Sequence, residues 1–206
     1  MPITEFLERN ARLYPNDVCL VEINPEIKED RRVTWKEYEL IEPSPKTSYR
    51  REITWSVFNE KANRFANLLL QRGIKKGDKV AILMMNGLEW LPIYFGVLKT
   101  GALAVPLNFR YSSDEIEYCV NLAEADVLVF SNPFIGRVEE IADRISKGRL
   151  LIYVGEGCPG FADDYNSLSA NCSSQSPAIP LFEDDDAAIY FSSGTTGFPK
   201  AILHKH

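Results

Sequence analysis

The sequence lacks the cysteine patterns of a metal site or a disulfide scaffold. Its four cysteines, Cys19, Cys119, Cys158 and Cys172, are widely spaced and include no CxxC pair. A zinc-binding motif would place cysteines a few residues apart, and a compact disulfide framework would have a higher density of them. We therefore interpret all four as reduced thiols.

The sequence also lacks a long apolar run. Its most apolar region, residues 88–107, contains Glu89, Lys99, two prolines and two glycines, so no run approaches the ~20 apolar residues that cross a bilayer. Residues 1–17 carry charges throughout and do not resemble a secretory signal. We therefore expect a soluble, cytoplasmic protein with no membrane span.

A surplus of positive charge is missing as well. The 206 residues include 29 acidic and 23 basic side chains, which gives a formal net charge of -6. This balance argues against non-specific binding to nucleic acid or to anionic membranes. The hydrophobic content of 45% is enough to bury a sizeable core, in one large domain or two small ones.

Helical and strand patterns alternate from Thr54 onward. The apolar spacing predicts helices over 55–72, 88–99 and 134–147, and a further helix that begins after Ser112 or Ser113. Apolar runs at 79–85, 103–107, 126–130 and 149–154 predict strands, and the continuous run 79–85 is typical of a strand that is covered on both faces. Thr54 is a candidate N-cap and Gly73 a candidate left-handed helix end. The fold class is therefore α/β, with layered helices and a largely parallel sheet built from right-handed crossovers.

The chain divides into four predicted segments. Residues 1–52 form an N-terminal helix and strands, 53–155 an α/β core, 156–180 a linker-like stretch rich in Ser and Pro, and 181–206 a strand, a loop and a second strand. Residues 31–39 and 50–60 resemble each other. We interpret them as two strands that flank a Pro-rich loop, the second continuing into the first helix; a duplicated binding element is the alternative.

The stretch "YFSSGTTGFPK", residues 190–200, has the composition of a phosphate-binding loop. Glycines allow the backbone N–H groups to approach an anion, hydroxyl groups add donors, and a lysine adds positive charge. The candidate ligands are Ser192, Ser193, Gly194, Thr195, Thr196, Gly197 and Lys200. The spacing is not that of a Walker A loop, because two residues separate Gly197 from Lys200 and Ala201 follows the lysine. Strand patterns on both sides predict a loop between strands, and on composition alone an ordinary Ser/Thr/Gly hairpin loop remains open.

Two other clusters, of acidic residues and of histidines, indicate a structural role rather than a metal site. The acidic residues 183–186 lie about 20 Å from Ser192 along an extended chain at ~3.3 Å per residue, so we expect them to begin a strand on its solvent side. Alternation places His204 and His206 on one face of the last strand. A metal site there would need a third ligand, and the sequence suggests none.

The nine residues 192–200 resemble the signature phosphate loop of the adenylate-forming superfamily, which includes acyl-CoA synthetases, luciferases of the firefly type and the adenylation domains of peptide synthetases. Residues 53–118 are similar to the N-terminal subdomain of that family. Asn108, after Pro106 and Leu107, is similar to the acyl-CoA synthetase version, whereas peptide-synthetase domains usually have aspartate there. The sequence departs from the commonest pattern at Ala201, usually glycine, and at Lys205.

The resemblance implies a function. In an AMP-forming acyl-CoA synthetase a carboxylic acid attacks ATP to give an acyl-adenylate and pyrophosphate, and the thiol of CoA then displaces AMP. The loop, Ser192 to Gly197 with Lys200, would hold the ATP phosphates, and His206 would border the active site. Mg²⁺ would accompany ATP, with ligands mostly outside this chain.

The resemblance also implies that this chain is an N-terminal portion of a longer enzyme. No catalytic residue or metal ligand can be assigned in it, and we expect it to fold without catalysing the reaction. Two alternatives remain open: a portion of another adenylate-forming enzyme, such as an amino-acid-activating domain, or a non-catalytic α/β module. The sequence does not indicate which carboxylic acid is used or whether the protein forms oligomers.

Overall fold

A computed structural model describes residues 1–23, 50–145, 148–192 and 199–206. The helices are α1 (Ile3–Leu13), α2 (Trp55–Gln71), α3 (Trp90–Lys99), α4 (Ser113–Leu122), α5 (Ile135–Ile145) and α6 (Tyr165–Ala170). The strands are β1 (Val18–Ile23), β2 (Arg50–Thr54), β3 (Lys79–Leu83), β4 (Leu103–Pro106), β5 (Val127–Ser131), β6 (Leu150–Val154), β7 (Asp163–Asp164), β8 (Asp186–Ser192) and β9 (Lys200–Lys205).

Seven strands within the described ranges form one sheet in the order β7-β6-β5-β3-β4-β8-β9. In this order, each pair of neighbouring strands between β7 and β8 is parallel, and the last pair, β8 and β9, is antiparallel. A separate antiparallel pair, β1 and β2, leads into α2. The prediction of a largely parallel α/β fold is confirmed. The first part of the near-repeat, 31–39, lies outside the described residues, and the second part forms β2 and continues into α2.

Side chains of the parallel strands alternate between two hydrophobic cores, because successive residues of a strand point to opposite faces of the sheet. Val80 and Ile82 of β3 contribute to the core under α2, α3 and α6. Ala81 and Leu83 contribute to the core under α4 and α5. Burial on both faces explains the continuous apolar runs of the sequence.

Local signals set the ends of the helices. The Thr54 hydroxyl accepts a hydrogen bond from the Val57 N–H at 3.4 Å, and Gly73 has φ +86° after α2. Ser112 forms a capping box with Glu115 at the start of α4. These contacts satisfy backbone groups that a helix end leaves without partners, and they agree with the predicted caps.

The structure is more ordered over 156–180 than a linker-like stretch implies. It contains β7 and α6, and the N-cap Asp164 accepts a hydrogen bond from the Ser167 N–H. Tyr165 is 3% exposed and its ring lies 5.6 Å from that of Phe65. Burial of this aromatic ring and of Cys172 holds the segment against α2 despite its polar composition.

An ion pair joins α1 to α3. Lys99 Nζ lies 2.5 Å from Glu8 Oε1, and the Ser176 hydroxyl donates to the same oxygen at 2.9 Å. The Lys99 side chain is only 2% exposed. A lysine so buried requires a paired charge, so this contact ties the N-terminal helix to α3.

The four cysteines are all free in the structure. Among the helices of the described ranges, none combines the length and the apolar character that a membrane crossing requires.

Gly96 allows the close approach of α2 and α3. A Cβ atom at this position would lie 2.9 Å from the Ala62 carbonyl oxygen and 2.9 Å from Phe65 Cδ1. Gly136, in α5, has nothing within 4 Å of its hypothetical Cβ. Both are helical glycines, so they form a matched pair.

We predict that Gly96→Ala lowers the free energy of unfolding by about 1–3 kcal/mol, because the helices must separate or strain. Gly136→Ala should leave the stability unchanged or raise it by up to about 1 kcal/mol, since alanine is the better helix former. Urea unfolding followed by circular dichroism measures both. Equal stability of the two variants would contradict the proposed close packing of α2 on α3.

Candidate functional site

The candidate phosphate loop joins β8 to β9 at the carboxyl edge of the parallel sheet. Ser192 is the last residue of β8, Lys200 is the first of β9, and the two are register partners. The prediction of a loop between two strands is confirmed. Ser193, Gly194, Thr195, Thr196 and Gly197 lie outside the described residues.

The described ends of the loop differ in exposure. Ser192 and Lys200 are exposed, whereas Pro199 is buried. The Lys200 ammonium is thus available to an anion at the sheet edge, and a buried proline fixes the backbone before it. These two strand ends are the part of the predicted site that the structure places together.

A second loop lies beside β8 at the same edge. It follows β4, which is the neighbour of β8, and the Asn108 side chain accepts a hydrogen bond from the Arg110 N–H at 2.9 Å. Arg137 of α5 donates from Nη1 to the carbonyl oxygens of Phe109 and Tyr111, both at 2.8 Å. Arg137 therefore holds this loop in place, a role that no local sequence signal indicated.

The carboxyl edge also contains the point where the sheet connections diverge. β3 leads through α3 to β4 on one side, whereas β5 lies on the other side of β3 and leads through α5 to β6. Open α/β sheets commonly bind ligands outside the carboxyl ends of strands at such a point. The loop after β8 lies at this same carboxyl edge, with β4 between β8 and the divergence of β3 and β5.

His206 lies at that opposite, amino edge. Its N–H donates to the Asp185 carbonyl, and β9 separates it from Lys200 by about 20 Å at ~3.3 Å per residue. Burial lowers the pKa of the imidazole below its usual value; the Asp185 carboxylate opposes this effect and Lys76 adds to it. The structure does not bring His206 near Ser192, and its place at the border of the active site stays a prediction.

The acidic cluster 183–186 is also at the amino edge. Asp185 Oδ2 lies 2.5 Å from Lys76 Nζ and accepts a hydrogen bond from the Phe182 N–H at 2.8 Å. A cavity of 510 Å³ opens nearby, with Lys76, Lys79, Asp185 and Asp186 among its charged lining. These carboxylates therefore stabilise the start of β8 and are remote from Lys200.

Metal-binding side chains do not cluster in the described ranges 1–23, 50–145, 148–192 and 199–206: no group there of three or more His, Cys, Asp or Glu could hold an ion. His204 instead packs edge-on against Tyr190, with ring centroids 5.0 Å apart and planes at 89°. The side chains in these described ranges therefore form no cluster that could bind Mg²⁺.

Curated relatives with sequence similarity include acyl-CoA ligases. The long-chain-fatty-acid–CoA ligase FadD13 of Mycobacterium tuberculosis is 32% identical over 163 residues, which cover 79% of this chain and 31% of the relative. The crotonobetaine/carnitine–CoA ligase of Citrobacter koseri is 35% identical over 164 residues, which cover 76% of this chain and 31% of the relative. The chain thus spans less than a third of the length of these relatives.

A solved structure of the anthranilate CoA ligase AuaEII in complex with anthranoyl-AMP matches all of this chain and 35% of its own, with a TM-score of 0.82 and 26% identity. The N-terminal domain of FACL13 from Mycobacterium tuberculosis matches all of this chain and 44% of its own, with a TM-score of 0.73 and 26% identity. The profile of the AMP-binding enzyme family matches residues 43–206. The chain therefore belongs to the AMP-binding enzyme family.

Proposed function

We propose that the complete protein is an AMP-forming acid–CoA ligase. It activates a carboxylic acid with ATP to an acyl-adenylate and transfers the acyl group to CoA. The observation that carries the proposal is the position of the loop 192–200, which joins two strands at the carboxyl edge of the sheet with Ser192 and Lys200 exposed. The family match and the CoA ligases among the relatives support it.

The residues of the loop suit the phosphates of ATP. Backbone N–H groups near Gly194 and Gly197, the hydroxyls of the Ser and Thr residues, and the Lys200 ammonium are donors and a charge of the kind that bind polyphosphates. We assign Ser192, Ser193, Gly194, Thr195, Thr196, Gly197 and Lys200 to the β- and γ-phosphates. Mg²⁺ would balance charge on ATP, and we assign it no ligand in this chain.

In the first step, a carboxylate oxygen of the acid attacks the α-phosphorus, and the bond between this phosphorus and the bridging oxygen to the β-phosphate breaks. Pyrophosphate leaves with the electron pair, and the loop stabilises its negative charge. In the second step, the sulfur of CoA attacks the acyl carbon and AMP leaves, while the thiol proton goes to solvent. Positioning and charge stabilisation are thus the tasks of this chain.

We further propose the domain boundaries that the sequence predicts, 1–52, 53–155, 156–180 and 181–206, as segments of one N-terminal portion of the large domain. The acid itself is not assigned. Four free cysteines fit a reducing compartment, and we propose the cytoplasm.

We predict that Lys200→Ala in the complete enzyme lowers kcat/KM for ATP on the order of 100-fold, the magnitude typical of removing a donor to developing charge. Formation of acyl-CoA from a panel of aliphatic and aromatic acids measures the activity and identifies the acid. Lys205→Ala is the matched control, because Lys205 is exposed at the other end of β9, 3.8 Å from Asp184. Equal activity of the two variants would contradict the assignment of Lys200.

The 206-residue chain by itself should release no pyrophosphate from ATP with any acid of the same panel, because one loop supplies few of the contacts that catalysis needs. A coupled pyrophosphate assay tests this expectation, with the complete enzyme as the positive control. Turnover by the 206-residue chain would contradict this expectation and show that the chain contains catalytic groups of its own.

A further inference from the structure

Among the described residues, β8 joins the parallel sheet through one registered pair, Ala104 with Ala188. The N–H groups of Leu103 and Leu107 donate toward β3, to the carbonyls of Asp78 and Ile82. Residues 104 and 106 of β4 therefore face β8. Pro106 has no N–H, so β4 cannot donate to β8 at the next position, and the ladder stops there.

Beyond Ala188, β8 continues paired only with β9 in the part of the chain that the structure describes. We call the continuing residues, 189–192 of β8 and 200–202 of β9, the loop arm, because they lead to the phosphate loop. All of β9 is exposed. On one face Ile189 and Phe191 pack against the core under α4 and α5. The other face has a polar contact with α3.

That contact joins two tyrosine hydroxyls. The oxygens of Tyr94 and Tyr190 are 2.8 Å apart, and the residues are separated by 96 positions in the chain. Trp90 stacks on Tyr94 with ring centroids 5.4 Å apart and planes at 11°, and His204 packs edge-on against Tyr190. Trp90 lies on the same helix as Tyr94, and His204 lies on β9, the strand paired with β8. Each tyrosine ring thus has an aromatic neighbour, so the two hydroxyls meet in a defined geometry.

The contact lies close to the proposed ATP phosphates. Tyr190 and Ser192 are two residues apart on the same face of β8, which corresponds to about 7 Å along a strand. Desolvation raises the pKa of Tyr94, and the hydrogen bond with Tyr190 acts in the same direction. The hydroxyl is therefore protonated and available as a hydrogen-bond partner at neutral pH.

We propose that Tyr94 is a positioning residue for the phosphate loop: its hydroxyl, bonded to Tyr190, fixes the loop arm relative to α3 where pairing between β4 and β8 has ended. The inference rests on the proposed function, since it assigns the loop its phosphate-binding role. Tyr94 acts through Tyr190 and touches no substrate.

Hydrogen exchange of the 206-residue chain without ligand tests whether the Tyr94 hydroxyl fixes the loop arm. Tyr94→Phe and Tyr190→Phe each remove the hydrogen bond and keep the rings. We expect amides of the loop arm to exchange about threefold to tenfold faster in either variant, as expected for the loss of one hydrogen bond. Amides at the other end of the hairpin, at the register partners Asp186 and Lys205, should keep their rates, and the double variant should exceed neither single one.

Tyr14→Phe is the matched control, because it removes an exposed hydroxyl at the end of α1. Unchanged exchange of the loop arm in Tyr94→Phe would overturn the inference. So would an equal increase throughout the sheet together with a lower Tm, since this pattern would indicate a purely structural role.

Titration of the 206-residue chain with inorganic pyrophosphate tests whether Tyr94 contributes to phosphate binding. We expect Tyr94→Phe to weaken binding about threefold to tenfold while Tm stays within error of the wild type, and Tyr14→Phe to bind like the wild type. If the wild-type chain binds no pyrophosphate, the phosphate role of the loop in this chain fails, and hydrogen exchange still decides the inference. Wild-type affinity in Tyr94→Phe would overturn it.

Discussion

The parallel pairing of β3 with β4 on one side and β5 on the other is the constraint on which the rest of this structure depends. Parallel strands end at the same edge, so their following loops are brought together there. Because each crossover needs a helix, both faces of the sheet are covered and the strands must be apolar on both sides. The buried Val80, Ala81, Ile82 and Leu83 satisfy this requirement. This arrangement places Ser192 and Lys200, the described ends of the loop 192–200, at the carboxyl edge.

The two edges of the sheet have different chemistry. At the amino edge Lys76 pairs with Asp185, and the charges there neutralise each other and hold the start of β8. At the carboxyl edge Lys200 is exposed at the end of a loop rich in hydroxyls and glycines. An anion with several charges is therefore expected at the carboxyl edge.

Much of the fold could be predicted from the sequence because its determinants are local. The hydroxyls of Thr54 and Ser112 cap helices within three residues, and Gly73 adopts the left-handed conformation that ends α2. Other features depend on partners far along the chain. Residues 165–170 have a polar composition, and the helix that they form packs on α2 through the contact of Tyr165 with Phe65. The candidate loop was recognisable from residues 192–200, whereas two contacts near it, of Arg137 with the loop after β4 and of Tyr94 with Tyr190, bridge 26 to 96 positions.

We propose above all that the carboxyl edge of this sheet holds the phosphates of ATP. Amide-resolved hydrogen exchange of the 206-residue chain, with saturating ATP and with adenosine as the comparison, tests it most directly. We expect ATP, and not adenosine, to slow exchange at residues 193–197 and at Lys200. Protection confined to the amino edge around Lys76 and Asp185, or no protection by ATP at all, would contradict it.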